Sequence, residues 1–159
     1  MEPKFIVDSN VGKLAKWLRM MGYDALFFDG EDDGKMVKIA LAQSRVVITK
    51  DSEFMKRRAI TSGKVKAILI SEDDPELQMR KVIDILHLNN EYSPFTRCLE
   101  CNTELQPREK DEIAPNVPQR VFEIQEQFMQ CPTCHRIYWR GTHWQAMTKR
   151  LQEFSNTNS

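Results

Sequence analysis

Hydrophobic and polar positions in the first half of the chain form two alternating patterns. Continuous apolar runs at residues 5–7, 25–28, 46–49 and 67–70 predict short buried strands. Apolar residues at the spacing of an amphipathic helix follow the first run: Val11, Leu14, Leu18 and Met21. Strands that are apolar throughout and alternate with helices are typical of a parallel sheet that is covered on both faces. The pattern therefore predicts an α/β fold.

Punctuating residues mark where these helices begin and end. Gly22 stands where the first helix requires a left-handed residue at its C-terminus. Asp32 or Asp33 is placed to cap a second helix that runs to about residue 42. Asp74 followed by Pro75 indicates the start of another helix, because proline at the first helical position loses no needed N–H donor. A short helix is also expected from about residue 52.

Acidic residues follow each of the four predicted strands. They are Asp8, a run within residues 29–33, Asp51 and residues 72–74. In a parallel sheet these positions share the carboxyl edge, where open α/β folds bind their ligands. Clustered carboxylates repel one another, and a divalent cation relieves that repulsion. Hard oxygen ligands favour Mg²⁺ or Mn²⁺, and such ions stabilise the oxygens of a phosphoryl displacement.

The alternative interpretation of these acids is structural. Aspartate at a strand end is also an ordinary turn residue or helix cap, and for any one acid this is the more common role. Asp74 fits a cap, and so does Asp32 or Asp33. Asp8 and Asp51 are the strongest metal-binding candidates, because each follows its strand within two residues.

The four cysteines fall in the second half, as the C-x-x-C pairs Cys98/Cys101 and Cys131/Cys134. The N-terminus has no apolar run of the kind that directs secretion, so we expect a cytoplasmic protein with reduced thiols. Two such pairs predict a tetrahedral Zn²⁺ site, and four thiolates leave no open position, so the metal would be structural. Redox dithiols or buried thiols are the alternative. The long gap between the pairs requires a loop or hairpin.

The cysteines and a polar stretch at residues 89–94 divide the 159 residues into parts. We expect one domain over residues 1–92, a cysteine-containing module over 93–147, and a flexible tail over 148–159. No segment approaches the roughly 18 consecutive apolar residues of a membrane-spanning helix, so no membrane association is expected. No P-loop, dinucleotide-binding glycine pattern or serine–histidine–aspartate order is present.

Basic residues lie near the acids, although the chain as a whole has 23 Lys and Arg against 23 Asp and Glu. This balance argues against nucleic-acid binding by bulk electrostatics alone. Lys13 and Lys16 share one helix face, and Lys50 precedes Asp51. In the second half, Arg140 accompanies Trp144 and other aromatic residues. Cations beside exposed aromatics suit single-stranded nucleic acid. The alternative is an aromatic core beneath the zinc site.

Several segments, taken together and in order, resemble the Mut-seven C-terminal RNase family. The resemblance covers about residues 4–147, and no one segment would be specific alone. The matching segments are FIVD at 5–8, GKLAKWLRMMGYD at 12–24, ITKD at 48–51, DDPE at 73–76, both C-x-x-C pairs, and YWRGTHW at 138–144. Thr142 stands where the family's closing motif is expected to have serine, a change that keeps the hydroxyl.

The resemblance implies a three-layer PIN-like nuclease domain with a parallel central sheet, followed by a small zinc ribbon. It implies a metal-dependent ribonuclease acting on single-stranded or structured RNA, with a catalytically inactive RNA- or protein-binding adaptor as the alternative. Matched by position, the metal-binding acids are Asp8, Asp51 and either Asp32 or Asp33. Glu53 or Asp73 is a possible fourth. Lys13, Lys16, Lys50, Arg140 and Trp144 are the residues expected to contact RNA. The sequence identifies no protein partner.

Overall fold

Four short strands in the first half of the chain pair in parallel, in the order β2-β1-β3-β4. The computed structural model describes residues 2–88 and 94–156, so the polar stretch predicted to divide the chain lies outside the described residues except for Pro94. Val7 pairs with both Phe27 and Ile48, which places β1 at the centre. The strands are β1 (Lys4–Asp8), β2 (Ala25–Phe28), β3 (Arg45–Thr49) and β4 (Ala67–Leu69).

Helices connect these strands and cover both faces of the sheet. They are α1 (Lys13–Met20), α2 (Asp33–Gln43), α3 (Arg58–Thr61) and α4 (Pro75–Leu86), with 3-10 turns at Ser9–Val11 and Phe54–Lys56. On one face Leu18 of α1 and Val82 of α4 pack with Val7 in one apolar cluster. On the other face Met36 of α2 packs with Ile6. The predicted α/β fold with a parallel sheet is confirmed.

The second half forms a smaller antiparallel sheet in the order β5-β6-β7. The gap between the cysteine pairs contains two helices as well as strands, which is more structure than the loop or hairpin that we expected. The elements are β5 (Gln106–Arg108), α5 (Lys110–Ile113), a 3-10 turn at Ala114–Asn116, α6 (Gln119–Ile124), β6 (Phe128–Gln130), β7 (Ile137–Tyr138) and α7 (Thr142–Asn156).

The last helix returns to the first half of the chain. In α7, Leu151 and Phe154 are almost fully buried and belong to the same apolar cluster as α1 and α4. The rings of Phe154 and Trp17 meet edge to face, 5.3 Å apart. The prediction of a flexible tail from residue 148 is therefore wrong as far as Asn156, because its apolar residues at i, i+3 spacing dock onto the main core. None of the described helices is long and apolar enough to cross a membrane.

Buried polar contacts join the first cysteine pair to the start of β2. Arg19, on α1, donates from Nε to the carbonyl of Ala25 (2.9 Å) and from Nη1 to that of Leu99 (2.8 Å). Asn102 accepts from the N–H of Ala25 (2.9 Å) and donates to the Asp24 carboxylate (2.7 Å). The residues around Cys98 and Cys101 are thus held against the first half of the chain by directed hydrogen bonds.

Candidate active site and metal centre

The carboxyl edge of the parallel sheet collects the acids that follow the strands. Asp8 is the last residue of β1, and Asp51 lies two residues beyond the end of β3. The acidic run at 29–33 follows β2, and the run at 72–74 lies just beyond β4. All four strands run in the same direction, so these loops lie at one edge.

The Thr49 hydroxyl links the two strongest acid candidates. Thr49 is fully buried and donates to Asp8 Oδ2 (2.7 Å), while the N–H of Asp51 donates to Thr49 Oγ1 (3.0 Å). The N–H of Ser9 donates to the other oxygen of Asp8 (2.8 Å). The Asp8 carboxylate, only 7% exposed, is therefore fixed in orientation. Sequence reasoning missed Thr49, although a hydroxyl that ends an otherwise apolar strand was the available signal.

Two further contacts tie the loops of this edge together. The N–H of Lys50 donates to Asn10 Oδ1 (3.1 Å), which joins the loops after β1 and β3. The Lys50 ammonium forms an ion pair with Asp73, beyond β4. Asn10 was not singled out from the sequence, because its partner lies 40 residues away. Lys50 thus lies at the edge where it was expected.

The two candidate acids after β2 occupy different environments. Asp32 is the N-cap of α2, and its Oδ1 accepts from the N–H of Lys35 (3.2 Å). Asp33 is half-buried at the first position of α2. Burial raises the pKa of the Asp33 carboxyl above its ordinary value, and the negative charges of Asp51 and Asp8 raise it further. The Asp33 carboxylate is therefore repelled by the charges of the other acids at this edge, whereas the Asp32 carboxylate caps α2.

The two possible fourth acids are engaged by lysines. Glu53 is exposed and pairs with Lys56 (3.0 Å), while its N–H donates to Asp51 Oδ1 (2.9 Å). Asp73 is exposed and pairs with Lys50. Among residues 2–88 and 94–156, the acids of this edge do not converge as tightly as the four cysteines do.

The four cysteine sulfurs form a compact cluster. All four Sγ atoms lie within 4.8 Å of one another, and those of Cys98 and Cys134 are 3.7 Å apart. A tetrahedral Zn²⁺ with Zn–S bonds of about 2.3 Å requires sulfurs about 3.8 Å apart. The soft thiolate donors and this spacing fit a structural Zn²⁺ ion held by all four cysteines.

Backbone N–H groups favour the thiolate of Cys131, whereas burial raises the pKa of the Cys98 thiol. Burial alone would raise the pKa of the Cys131 thiol, but N–H groups of Cys134 and Thr133, each 3.4 Å from Sγ, bring it down to about 7. The Tyr138 hydroxyl lies 3.2 Å from Cys98 Sγ, where it is able to donate to a thiolate, and it accepts from the N–H of Leu99 (3.1 Å). These donors are the outer partners that a metal-bound thiolate uses.

An open groove of about 710 Å³ runs along α1; we call it the α1 groove. Lys13 and Lys16 line it, and their contact with RNA stays a prediction. Trp144, in contrast, is only 8% exposed and packs edge to face on Phe95, 4.9 Å between ring centroids. The guanidinium of Arg140 stacks over the same Phe95 ring at 4.9 Å. The expectation that Trp144 stacks on RNA is therefore corrected: its ring is part of the core.

Comparison with known protein families agrees with the resemblance found in the sequence motifs. A model of the Mut7-C RNAse domain matches residues 3–151, which is nearly the whole chain. The chain belongs to this family. No curated protein and no solved structure matches it. The resemblance found in the sequence is thus confirmed, and membership of the Mut7-C family places the chain in a nuclease-type family. RNA is the substrate class that the family's name indicates.

Proposed function

We propose that this Mut7-C chain is a Mg²⁺- or Mn²⁺-dependent ribonuclease that hydrolyses RNA phosphodiester bonds as an endonuclease. Its first half would be a PIN-like domain and its cysteine-containing half a zinc ribbon. The observation that carries the proposal is the placement of Asp8, Asp33 and Asp51 at one edge of a parallel sheet, in a chain of an RNase family. A shared edge of three acids is the donor set that a hard divalent cation requires.

In this proposal Asp8, Asp33 and Asp51 hold the metal. The raised pKa of Asp33 comes first from burial and then from the charge of Asp51, and this second part supports the assignment, because a bound cation relieves repulsion between carboxylates. A Mg²⁺ or Mn²⁺ ion held there would supply an activated water and stabilise charge on the phosphate oxygens. Thr49 and the N–H of Ser9 orient the Asp8 carboxylate so that its oxygens stay fixed during the reaction.

The lysines of the edge have the role of seating the RNA backbone. Lys13 and Lys16 lie along the α1 groove, and Lys50 lies between Asn10 and Asp73 at the acid edge. Lysine binds phosphate as a point charge, and contacts with phosphates do not depend on the RNA sequence. This suits an enzyme that holds its substrate by the RNA backbone. The Zn²⁺ ion on the four cysteines would be structural, away from the reaction.

A cleavage assay with matched variants tests the proposal. We expect Asp8→Asn and Asp51→Asn to abolish Mn²⁺-dependent cleavage of an RNA oligonucleotide, because the amide removes the charge and keeps the shape. Circular dichroism should show both variants folded. Asp111→Asn, in α5 of the other half, should cleave as wild type does. EDTA should stop cleavage. Both edge variants cutting at the wild-type rate would refute the mechanism.

One observation favours a second candidate, a catalytically inactive adaptor that binds RNA or protein. Within the described residues the acids do not converge as closely as the cysteines. A titration with Mn²⁺ separates the two functions. Saturable Mn²⁺ binding that Asp51→Asn removes favours the ribonuclease, and the absence of binding in a folded wild-type chain favours the adaptor.

A further inference from the structure

Phe27 is an exposed aromatic ring on a strand that is otherwise largely covered. It is 43% exposed, near the carboxyl end of edge strand β2. Its backbone pairs with Val7, whose side chain is fully buried. Its ring lies against Gly12: a Cβ built there would come within 2.8 Å of Phe27 Cε1. The missing side chain of Gly12 thus makes room for a ring that solvent can still reach.

The same ring lines the α1 groove, together with cationic side chains. Lys13 and Lys16 are exposed there, on the helix that begins directly after Gly12. The groove's acids are partnered, since Glu100 pairs with Lys16 (2.9 Å) and Asp73 pairs with a lysine of the acid edge. Lys16 is thus already paired with an acid, and the flat apolar surface beside the exposed Lys13 matches a nucleobase attached to a phosphate.

The groove is continuous with the proposed catalytic edge. Ser9 and Asn10, which line one end of it, directly follow Asp8, and Asp73 lines it as well. Leu99 of the first cysteine pair lines it too, along with its neighbour Glu100. A strand lying in the groove would therefore pass from the cysteine pair along α1 to the acids.

We infer that Phe27 is a stacking platform for an unpaired RNA base, and that the α1 groove holds the single strand that leads to the acid edge. The inference rests on the proposed ribonuclease function and adds a specificity: single-stranded over duplex RNA. In a duplex each base is already stacked on its neighbours, so no base face is free to cover the Phe27 ring.

The test measures binding without hydrolysis, by fluorescence anisotropy of a labelled RNA oligonucleotide in buffer without Mg²⁺ or Mn²⁺, so that the zinc stays bound. Removing an aromatic stacking partner weakens binding substantially, so Phe27→Ala should bind single-stranded RNA about tenfold more weakly than wild type. Phe27→Trp should restore binding. Leu41→Ala is the matched control, because Leu41 is 46% exposed on α2, across the sheet, and should bind as wild type does.

A duplex of the same sequence completes the comparison. It should bind more weakly than the single strand, and Phe27→Ala should not change its affinity. Gly12→Ala gives an independent test: its φ of −56° suits alanine, but the new methyl displaces the Phe27 ring, so binding of the single strand should weaken without a loss of thermal stability. Circular dichroism confirms folding.

The outcomes separate this inference from the proposed function. Wild-type affinity of Phe27→Ala for the single strand, or an equal loss for single strand and duplex, overturns the inference. It does so even where Mn²⁺-dependent cleavage is intact. Binding of single-stranded RNA that depends on Phe27, in a chain that never cleaves with Mn²⁺, supports the inference and overturns the ribonuclease.

Discussion

The Thr49 hydroxyl forms two hydrogen bonds through one oxygen, since it donates to Asp8 and accepts from the N–H of Asp51. A hydroxyl is able to do both because it carries a donor and two acceptor lone pairs. The two acids that follow β1 and β3 are therefore positioned by one buried group between the strands. Their relative placement depends on β3 ending in threonine, and no apolar residue of similar size supplies these bonds.

Replacing this hydroxyl tests whether it positions the two acids. We expect Thr49→Val to lower the rate of Mn²⁺-dependent RNA cleavage about tenfold, a value that corresponds to one lost hydrogen bond. Leaving two groups without their partner should lower the free energy of unfolding by about 1–3 kcal/mol. Thr49→Ser keeps the hydroxyl and is the control. Equal cleavage rates for the valine and serine variants, measured at saturating Mn²⁺, would contradict the positioning role.

The neighbouring acids Asp32 and Asp33 should respond differently to the same chemical change. Asparagine caps a helix about as well as aspartate, so Asp32→Asn should keep both the fold and cleavage. Asp33→Asn should lose cleavage, because Asp33 is the acid that shares a field with Asp51 and Asp8. Single-turnover cleavage of both variants decides between them. Loss of activity in Asp32→Asn alone would reverse the assignment.

For individual residues, the sequence predicted the positions of the acids better than it predicted the residues that hydrogen-bond to them. Asp8 and Asp51 were predicted from their positions after apolar strands, a local signal. Thr49 and Asn10 act on residues about 40 positions away along the chain. A single sequence contains no sign of such pairs until the strand order is known, and the order β2-β1-β3-β4 is set by tertiary packing.

Among the elements, the start of β2 is where the cysteine pair is anchored. Burial alone would raise the pKa of the Asp24 carboxyl, but hydrogen bonds from Arg45 and Asn102 lower it below its ordinary value. The Arg45–Asp24 ion pair measures 2.7 Å, and Arg45 is itself buried. A carboxyl whose pKa is lowered by folding stabilises the folded state while it is ionised.

We therefore expect Asp24→Asn to destabilise the chain in a pH-dependent way. At neutral pH the variant should lose about 1–2 kcal/mol of unfolding free energy. The difference from wild type should shrink as the pH falls below about 4, because protons then bind the carboxyl of the unfolded chain first and that of the folded chain only at its lowered pKa. Urea unfolding at several pH values measures it. Glu104→Gln is the control, since Glu104 is 82% exposed and its pair with Arg97 contributes little. A difference that is constant with pH would contradict the expected linkage.

The sequence predicted the elements of the first half more fully than those of the second. The first half has apolar strands and helices with clear periodicity, and Asp74 and Pro75 mark the start of α4 as expected. In contrast, α5 has four residues and α6 has six, too short to show a period. The part of α7 that was predicted as a flexible tail was missed because its buried residues, such as Phe154, gain their partners from α1.

Across the whole molecule, the two halves share one core. Phe95 and Trp144 from the cysteine-containing half belong to the same apolar cluster as Leu14 and Val82 from the first half. Arg19 adds a buried polar link, since it donates to carbonyls in both halves. A change in sequence composition suggests a boundary, but whether the parts pack together depends on surfaces that only the fold brings into contact. The cysteine cluster therefore lies in a segment joined to α1.

Because the two halves share one core, removal of zinc should also affect residues of the first half. We expect one Zn²⁺ per chain in protein purified without added zinc, because the sulfur spacing fits a tetrahedral ion. Acid should release the zinc by protonating the thiolates, and a thiol-reactive reagent should release it by modifying them. Hydrogen exchange should then quicken at Ala25, whose N–H donates to Asn102, while Val47 in the sheet stays protected. Protein dialysed into buffer without Mn²⁺, which keeps its zinc, is the control. Zinc-free protein with unchanged exchange at Ala25 would show that the anchor forms without the metal.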